Sequence, residues 1–160
     1  MTLYFFHGKE STPQGSKYHS LTSLGPVKSP DFQNMDIHER LEKAERVTAD
    51  EEEMVVVGSS MGGLLASLLY DRHPERFAAL VLLAPALNWE VADKITEMPP
   101  PECVAVIHGR RDQIVPLEDV QQFCAKFDID VEVVDDAHRL ADSHDRILEV
   151  VRGFLNPNDS

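Results

Sequence analysis

Short apolar runs alternate with stretches of helical spacing along almost the whole chain, and this alternation limits the possible folds more than any other feature. Five runs are strand candidates, at residues 3–6, 54–57, 80–83, 104–107 and 131–134, with a weaker sixth at 26–29. Strands that alternate with helices form parallel sheets, and continuously apolar strands are covered on both faces. The pattern predicts an α/β fold, a three-layer sandwich around a central, mostly parallel sheet of about six strands. Glu132 interrupts the last run, which we therefore place at a sheet edge.

Local signals predict where several helices begin. Asp36 and Glu39 have the spacing of a capping box at the start of one helix. Pro116 fits the first position of another helix, whose apolar stripe includes Cys124. Ser143 is the predicted cap of the last helix. Cys124 is therefore expected to be a core residue and not a nucleophile.

Length and charge narrow the class of protein. We expect one domain over residues 1–155 and a frayed tail over 156–160. The 28 acidic residues outnumber the 15 basic ones and give a net charge of −13. Because nucleic acids and anionic membranes bind through Lys and Arg, neither is an expected partner. The sequence has no apolar run of about 18 residues and no signal peptide, so we expect a cytoplasmic protein. Its two cysteines lack CxxC spacing, so we expect free, mostly buried thiols and no metal.

The segment from residue 54 to residue 66 carries the clearest chemical signal. Gly58, Ser60 and Gly62 fit the pattern GxSxG, with an apolar strand before the motif and a helical pattern after it. A serine hydroxyl is a weak nucleophile, so it needs a tight turn that exposes it to a base, and small neighbours leave room for that turn. The helix that starts there directs its dipole and the N–H of Met61 at a developing oxyanion. Ser60 is the predicted nucleophile.

Two other interpretations of this segment exist. It could be a glycine-rich turn that only packs a helix onto a sheet, or a cradle for a phosphate group. The combination of strand, motif and helix favours a nucleophile over both. Ser59 is excluded because Val57 stands where the motif requires glycine.

His138 is the predicted base among the seven histidines. In proteins with this serine turn, the acid and then the base follow later in the chain, in loops after strands. His138 directly follows the candidate strand at residues 131–134, and His144, in the first turn of the last helix, is the second choice. His7 and His108 each precede a glycine at the end of a strand, where an imidazole more often packs or bonds to the backbone.

Asp112 is the predicted acid. It lies in the loop after the strand at residues 104–107, and there it could accept the Nδ1 hydrogen of His138 and stabilise the imidazolium. Asp112 could instead be a surface residue that leads into a helix. Asp135 and Asp136 are the rival acids, but we interpret them as solvated turn residues.

Taken together, these residues resemble the alpha/beta hydrolase family over nearly the whole chain. Four segments carry the resemblance: His7-Gly8, the motif around Ser60, residues 109–116 and residues 138–140. The resemblance implies that Lys9 supplies the second oxyanion N–H, an unusual residue for that place. Residues 7–17 also resemble small bacterial esterases of the YqiA type, which lack a large cap. Two departures are Asp135-Asp136, where relatives often have glycine before the base, and the missing pair of leading antiparallel strands, which leaves a minimal sheet of six.

The segment from residue 85 to residue 102 is where larger relatives insert a lid domain. Its 18 residues allow at most a short helix and a flap, so we expect an open site. Leu87 and Trp89 are candidate walls of an acyl pocket. Ordinary rim packing is an equally good interpretation of Trp89.

The sequence thus predicts a serine hydrolase for small carboxylic esters or thioesters, which works through an acyl-enzyme without a cofactor. The expected partner is a small-molecule substrate, and the expected state is a monomer or small homo-oligomer. Peptidase, lactonase and dienelactone-type activities share the same triad and remain open. A different class is also possible, an interaction protein that keeps the scaffold with weak or vestigial activity.

Overall fold

Six strands form one central sheet in this computed structural model, which describes residues 1–157. The strands are β1 (Thr2–Phe6), β2 (Val27–Lys28), β3 (Met54–Ser59), β4 (Phe77–Leu83), β5 (Val104–Gly109) and β6 (Val131–Val134). The α-helices are α1 (Ser16–Leu21), α2 (Ile37–Val47), α3 (Met61–Arg72), α4 (Leu117–Ala125) and α5 (His144–Leu155). The part of the predicted frayed tail from residue 158 onward lies outside the described residues.

All six strands are parallel, in the order β2-β1-β3-β4-β5-β6. The predicted α/β sandwich with a parallel sheet of six strands is confirmed. The weak sixth candidate is the two-residue strand β2 at one edge, and β6 lies at the other edge as expected. β4 and β5 are longer than their apolar runs, because β4 begins at Phe77 and β5 continues through His108 and Gly109.

Two apolar layers cover the two faces of the sheet. Alternate strand residues point to opposite faces, so Tyr4 and Val56 pack with α2, α3 and α4, whereas Leu3 and Val55 pack with α1 and α5. Cys124 is fully buried in the first layer, as predicted, and burial raises the pKa of its thiol to about 12. Cys103 is half-buried. Within residues 1–157, no helix combines the length and the apolar character needed to cross a bilayer.

The predicted helix starts are partly correct. Asp36 accepts a hydrogen bond from the Glu39 N–H at 2.9 Å, and the Glu39 side chain accepts one from the Asp36 N–H at 3.1 Å, which is the predicted capping box. Pro116 is the residue before the first helical position of α4 and not that position itself. Ser143 precedes α5 but does not cap it, because its hydroxyl donates to the buried carboxylate of Asp136 at 2.7 Å.

The first turn of α3 lies directly against the end of β1. A Cβ atom on Gly62 would collide with the carbonyl of Phe6 and would lie only 2.8 Å from the carbonyl oxygen of His7. A Cβ atom on Gly58 would lie 2.8 Å from the Cα of Gly63. Because these obstacles are backbone atoms of packed elements, they cannot move aside cheaply. The two glycines allow the strand and helix backbones to pack at this distance.

Gly62→Ala should therefore destabilise the protein strongly. We expect the free energy of unfolding in urea to fall by about 3 kcal/mol, the upper range for overpacking a tight interior. Gly153→Ala is the matched control, since Gly153 lies in the last turn of α5 and a Cβ atom there meets nothing within 4 Å. Its stability should rise by about 0.5 to 1 kcal/mol through helix propensity. Equal effects of the two substitutions would contradict the close approach of α3 to β1.

Candidate active site

Ser60 lies at a strained turn between β3 and α3. Its φ of 56° and ψ of −115° are an unfavourable combination for a residue with a side chain, and such strain persists only where surrounding bonds hold it. The Ser60 N–H donates to the carbonyl of Leu83 at 2.9 Å, and the Ser60 carbonyl accepts from the N–H of Ala86, also at 2.9 Å. These bonds fix the backbone of Ser60 to the residues at the end of β4, and its side chain projects into a surface cavity.

Three predicted side chains meet at this turn. His138 Nε2 lies 3.0 Å from Ser60 Oγ, and His138 Nδ1 lies 2.7 Å from Asp112 Oδ2. A neutral imidazole that donates from Nδ1 to the carboxylate presents Nε2 as an acceptor for the hydroxyl. The arrangement can therefore take a proton from Ser60. The Asp112 side chain is fully buried, whereas the His138 side chain is 22% exposed and within reach of a ligand.

The carboxylate of Asp112 is held on all sides. Its Oδ1 accepts from the N–H groups of Ile114 and Val115, each at 2.8 Å. His108 Nε2 donates to the carbonyl of Val115 at 2.8 Å and also lies 3.3 Å from Asp112 Oδ2. His108 Nδ1 has no hydrogen-bond partner among residues 1–157. The sequence predicted that His108 packs or bonds to the backbone, and it does bond to the Val115 carbonyl, but its position beside Asp112 was missed.

The predicted oxyanion donors line the same cavity as Ser60. Met61 occupies the first position of α3, where a backbone N–H has no acceptor within the helix. The Lys9 N–H donates to no acceptor within the described part of the chain. Gly8 brings this loop next to Ser60, because a Cβ atom on Gly8 would lie 3.5 Å from Ser60 Cβ. Both residues thus line the cavity, and neither N–H group has an acceptor within residues 1–157.

Arg40 is a buried residue behind this loop that the sequence analysis missed. Its guanidinium donates to the carbonyls of His7 at 2.7 Å and Gly8 at 3.1 Å, and burial lowers its pKa to about 10. His7 is fixed as well, since its Nε2 accepts from the N–H of Phe32 at 2.8 Å, and burial lowers its pKa. The available signal was a charged residue on the apolar stripe of α2, next to Leu41. A cation at such a position needs polar partners from another element.

Asp136 corrects one prediction, because it is a buried structural residue and not a solvated one. Its carboxylate accepts from the N–H groups of Ala137 at 2.8 Å and Asp142 at 3.0 Å and from the Ser143 hydroxyl. Burial alone would raise the pKa of Asp136, but these three hydrogen bonds lower it below its ordinary value. Asp136 thus ties together the loop that carries His138.

The other rival residues lie elsewhere. His144 Nδ1 pairs with the Ser20 hydroxyl at 2.6 Å. Asp135 is exposed and accepts from Arg111 Nε at 3.1 Å. Neither contacts Ser60 or His138 through a hydrogen bond among residues 1–157.

The cavity at Ser60 has a volume of about 640 Å³ and is open to solvent. Trp89 lines it, in the segment from residue 85 to residue 102, which contains the short 3₁₀ helix Glu90–Lys94 and the start of another, Pro101–Cys103. Leu87 was predicted as a pocket wall, but it is buried in the apolar layer of α2 and α3 and does not line this cavity. Among residues 1–157, no cluster of three or more His, Cys, Asp or Glu side chains could hold a metal ion.

A six-stranded parallel sheet with a serine at the strand-to-helix turn is the architecture of an alpha/beta hydrolase. The family model described as "Serine aminopeptidase, S33" matches residues 19–102, which are 84 of the 160 residues. The chain belongs to this family. The matched region contains Ser60 but neither Asp112 nor His138.

Solved structures show the same fold. A protein described as a hydrolase of the alpha/beta superfamily from Xanthomonas campestris superposes with a TM-score of 0.77 and 22% identity, over 98% of each chain. Mouse alpha/beta hydrolase domain-containing protein 10 superposes with a TM-score of 0.78 and 17% identity, over 98% of this chain and 90% of that one. Est1E from Butyrivibrio proteoclasticus superposes with a TM-score of 0.74 and 14% identity, over 98% of this chain and 87% of that one. A search of curated protein sequences found no match.

Asp136→Asn should destabilise the protein in a pH-dependent way. An amide cannot accept all three hydrogen bonds, so we expect a loss of about 2 kcal/mol in the free energy of unfolding at pH 7. A carboxylate whose pKa is lowered by folding contributes stability above its unfolded-state pKa and loses it as the pH falls through the folded-state value. The difference between variant and wild type should therefore shrink in acid. Urea unfolding at several pH values from 7 to 3 measures this difference, and Asp135→Asn, at an exposed carboxylate, is the control. A difference in the free energy of unfolding that stays constant with pH would contradict the structural role of the Asp136 carboxylate.

Proposed function

We propose that the protein is a serine hydrolase that cleaves small carboxylic esters or thioesters through an acyl-enzyme. Ser60 is the nucleophile, His138 the base and Asp112 the acid of the triad. The observation that carries the proposal is the continuous chain of contacts, 3.0 Å from Ser60 Oγ to His138 Nε2 and 2.7 Å from His138 Nδ1 to Asp112 Oδ2. Those contacts allow an otherwise weak hydroxyl to lose its proton as it attacks.

The reaction proceeds in two halves. Ser60 Oγ attacks the carbonyl carbon while His138 Nε2 takes the hydroxyl proton, and the imidazolium then gives this proton to the leaving alcohol or thiol. Water next attacks the acyl-enzyme, with His138 again as the base, and the acid is released while Ser60 regains its proton. Asp112 keeps the Nδ1 hydrogen in place and stabilises the imidazolium in both halves.

The backbone N–H groups of Lys9 and Met61 bind the oxyanion in each tetrahedral intermediate. An oxyanion donor of this kind is commonly worth about 3 kcal/mol of the activation barrier. Arg40 acts through the loop, because it holds the carbonyls of His7 and Gly8 and so orients the peptide that precedes Lys9. It is a positioning residue and does not touch the substrate.

The charges at the cavity favour esters over peptides with a free amino terminus. The matched family model is named for aminopeptidases, and an aminopeptidase must bind the ammonium group of its substrate. Here the cavity is lined by three cations (Lys9, Lys17 and Arg139) and one carboxylate (Glu10), a poor environment for an ammonium. The short lid segment and the resemblance of residues 7–17 to YqiA-type esterases support a compact, open esterase. Its two free cysteines fit the expected cytoplasmic location.

Loss of the proposed nucleophile should abolish activity. Ser60→Ala is expected to lower the turnover of p-nitrophenyl butyrate by more than about a thousandfold and to prevent labelling by a fluorophosphonate probe. Ser59→Ala should still be labelled, because the Ser59 hydroxyl has no hydrogen bond to His138. His138→Gln should be inactive, whereas His144→Gln should keep its activity.

The probe also separates an enzyme from a scaffold protein with a vestigial site. Wild-type protein that is folded but neither labelled nor active on any ester or thioester would support the scaffold alternative and contradict the proposal.

Arg40→Met should slow catalysis without a matching loss of substrate binding. We expect kcat to fall about tenfold, with KM within about twofold, because a displaced loop weakens the oxyanion contacts that form in the transition state. The fraction of protein labelled by the fluorophosphonate counts folded sites and corrects kcat for any unfolded protein. Arg46→Met, exposed on the same helix, is the control. A corrected kcat equal to wild type would show that Arg40 only supports folding.

A further inference from the structure

The cavity at Ser60 has a local charge opposite to that of the protein. The chain has a net charge of −13, yet Lys9, Lys17 and Arg139 line the cavity against Glu10 as the one acidic residue among its lining residues. None of the three cations forms an ion pair with a carboxylate within residues 1–157. Other cations of the chain do find such partners, for example Lys28 with Glu51 and Arg146 with Glu132. Five of the 15 Lys and Arg residues pair with a carboxylate and ten do not within residues 1–157, so Lys9, Lys17 and Arg139 are distinguished by lining one cavity and not by lacking ion pairs.

Lys17 is the most enclosed of these cations. It lies on α1 and is half-buried, and its Nζ donates to the carbonyl of Arg139 at 2.8 Å. That bond uses one of the three hydrogens of an ammonium group. Burial lowers the pKa of Lys17, while Asp136 acts in the opposite direction without forming an ion pair with it. The three hydrogen bonds described above use three of the roughly four acceptor positions of the Asp136 carboxylate.

The location of Lys17 connects it to the reaction. Arg139 directly follows His138 in the chain, so the hydrogen bond holds the Lys17 ammonium group against the loop that carries His138. Lys17 and His138 both line the cavity of Ser60. A partly desolvated cation without a counter-ion is costly, and an anion brought by a ligand would recover that cost. Lys9 and Arg139 are exposed and can approach the same anion.

We propose that the site prefers esters that carry an anionic group, a carboxylate or a phosphate, and that Lys17 binds this group with support from Lys9 and Arg139. This proposal depends on the proposed ester hydrolysis and specifies its substrate class. The negative group lies in the cavity beside the His138 loop, at one end of the substrate, while the ester carbonyl lies at Ser60.

Matched ester pairs test the preference. Monomethyl adipate and methyl hexanoate differ only in a terminal carboxylate on the acyl side, and 4-acetoxybutanoate and butyl acetate place the same difference on the alcohol side. Acid release in a pH-stat gives kcat/KM for each ester. We expect the anionic member of at least one pair to be favoured about tenfold, the range of a hydrogen bond to a charged group. A phosphate analogue, 3-acetoxypropyl phosphate, shows which anion is preferred. If kcat/KM of the wild-type enzyme is no higher for any of these anionic esters than for the neutral ones, the proposed preference is overturned while the proposed hydrolase activity stands.

Substitutions at Lys17 assign the preference to this residue. Lys17→Met should lower kcat/KM for the anionic ester about tenfold more than for its neutral partner, and Lys17→Arg should restore most of the difference. If Lys17 acted only by holding the Arg139 carbonyl and thereby His138, the substitution would lower kcat/KM equally for both esters. That result would contradict the assignment. Lys126→Met is the control for the change in net charge, since Lys126 is exposed and lies over the ring of Phe123, away from the cavity. For Lys126→Met, the ratio of kcat/KM for the anionic ester to kcat/KM for the neutral ester should match that of the wild type.

Binding to Ser60→Ala protein separates this proposal from failure of the catalytic one. Trp89 is the one tryptophan of the chain and lines the cavity, so its fluorescence reports occupancy. Monomethyl adipate or 4-acetoxybutanoate should bind about tenfold more tightly than its neutral partner, and the difference should disappear with Lys17→Met. Equal affinities within both pairs would overturn the anion site even if the wild-type enzyme hydrolyses esters. A clear difference would support the site even if no ester is cleaved.

Discussion

The close approach of α3 to the end of β1 is the constraint on which the site depends. Gly62 lets the first turn of α3 rest on the carbonyls of Phe6 and His7, and Gly58 lets β3 turn sharply into that helix. The turn forces Ser60 into a strained backbone conformation, which the bonds to Leu83 and Ala86 maintain. The same contact brings the loop after β1 beside Ser60, so one packing interaction places both the candidate nucleophile and a candidate oxyanion donor.

The other half of the site depends on buried polar groups that satisfy one another. Asp112 is fully enclosed, and its oxygens meet two backbone N–H groups and the ring nitrogen of His138. Asp136 plays the corresponding role in the next loop, where three donors fix the turn that carries His138. A Cβ atom on Gly109 would collide with the backbone of Asp136, so the end of β5 packs directly under this turn. The imidazole is therefore positioned by two anchored loops and keeps its reach into the cavity.

The sequence predicted the features that local chemistry determines. Apolar runs gave the strands, and the glycine spacing around Ser60 gave the turn. Strand ends in a parallel sheet meet at one edge, which is why Asp112 and His138 could be proposed from their order in the chain. Arg40 and Leu87 could not be placed in this way, because their surroundings come from distant segments. Asp136 was misplaced for a different reason, since its three donors belong to its own loop and depend on how that loop turns. Arg40 reaches a loop more than thirty positions earlier in the chain, and Leu87 turns toward α2 and α3 and away from the cavity.

Charge distribution links this architecture to substrate choice. A surface that is acidic overall repels anions at long range, but screening limits that repulsion to about 10 Å at moderate salt, so the groups lining the cavity decide what binds there. The Arg139 carbonyl accepts one hydrogen of the Lys17 ammonium group and leaves the other two for further acceptors. The bond that positions the ammonium also ties α1 to the loop of His138. In the proposed enzyme, recognition of an anionic substrate and the placement of His138 share this contact, and an anion that binds Lys17 would act on both.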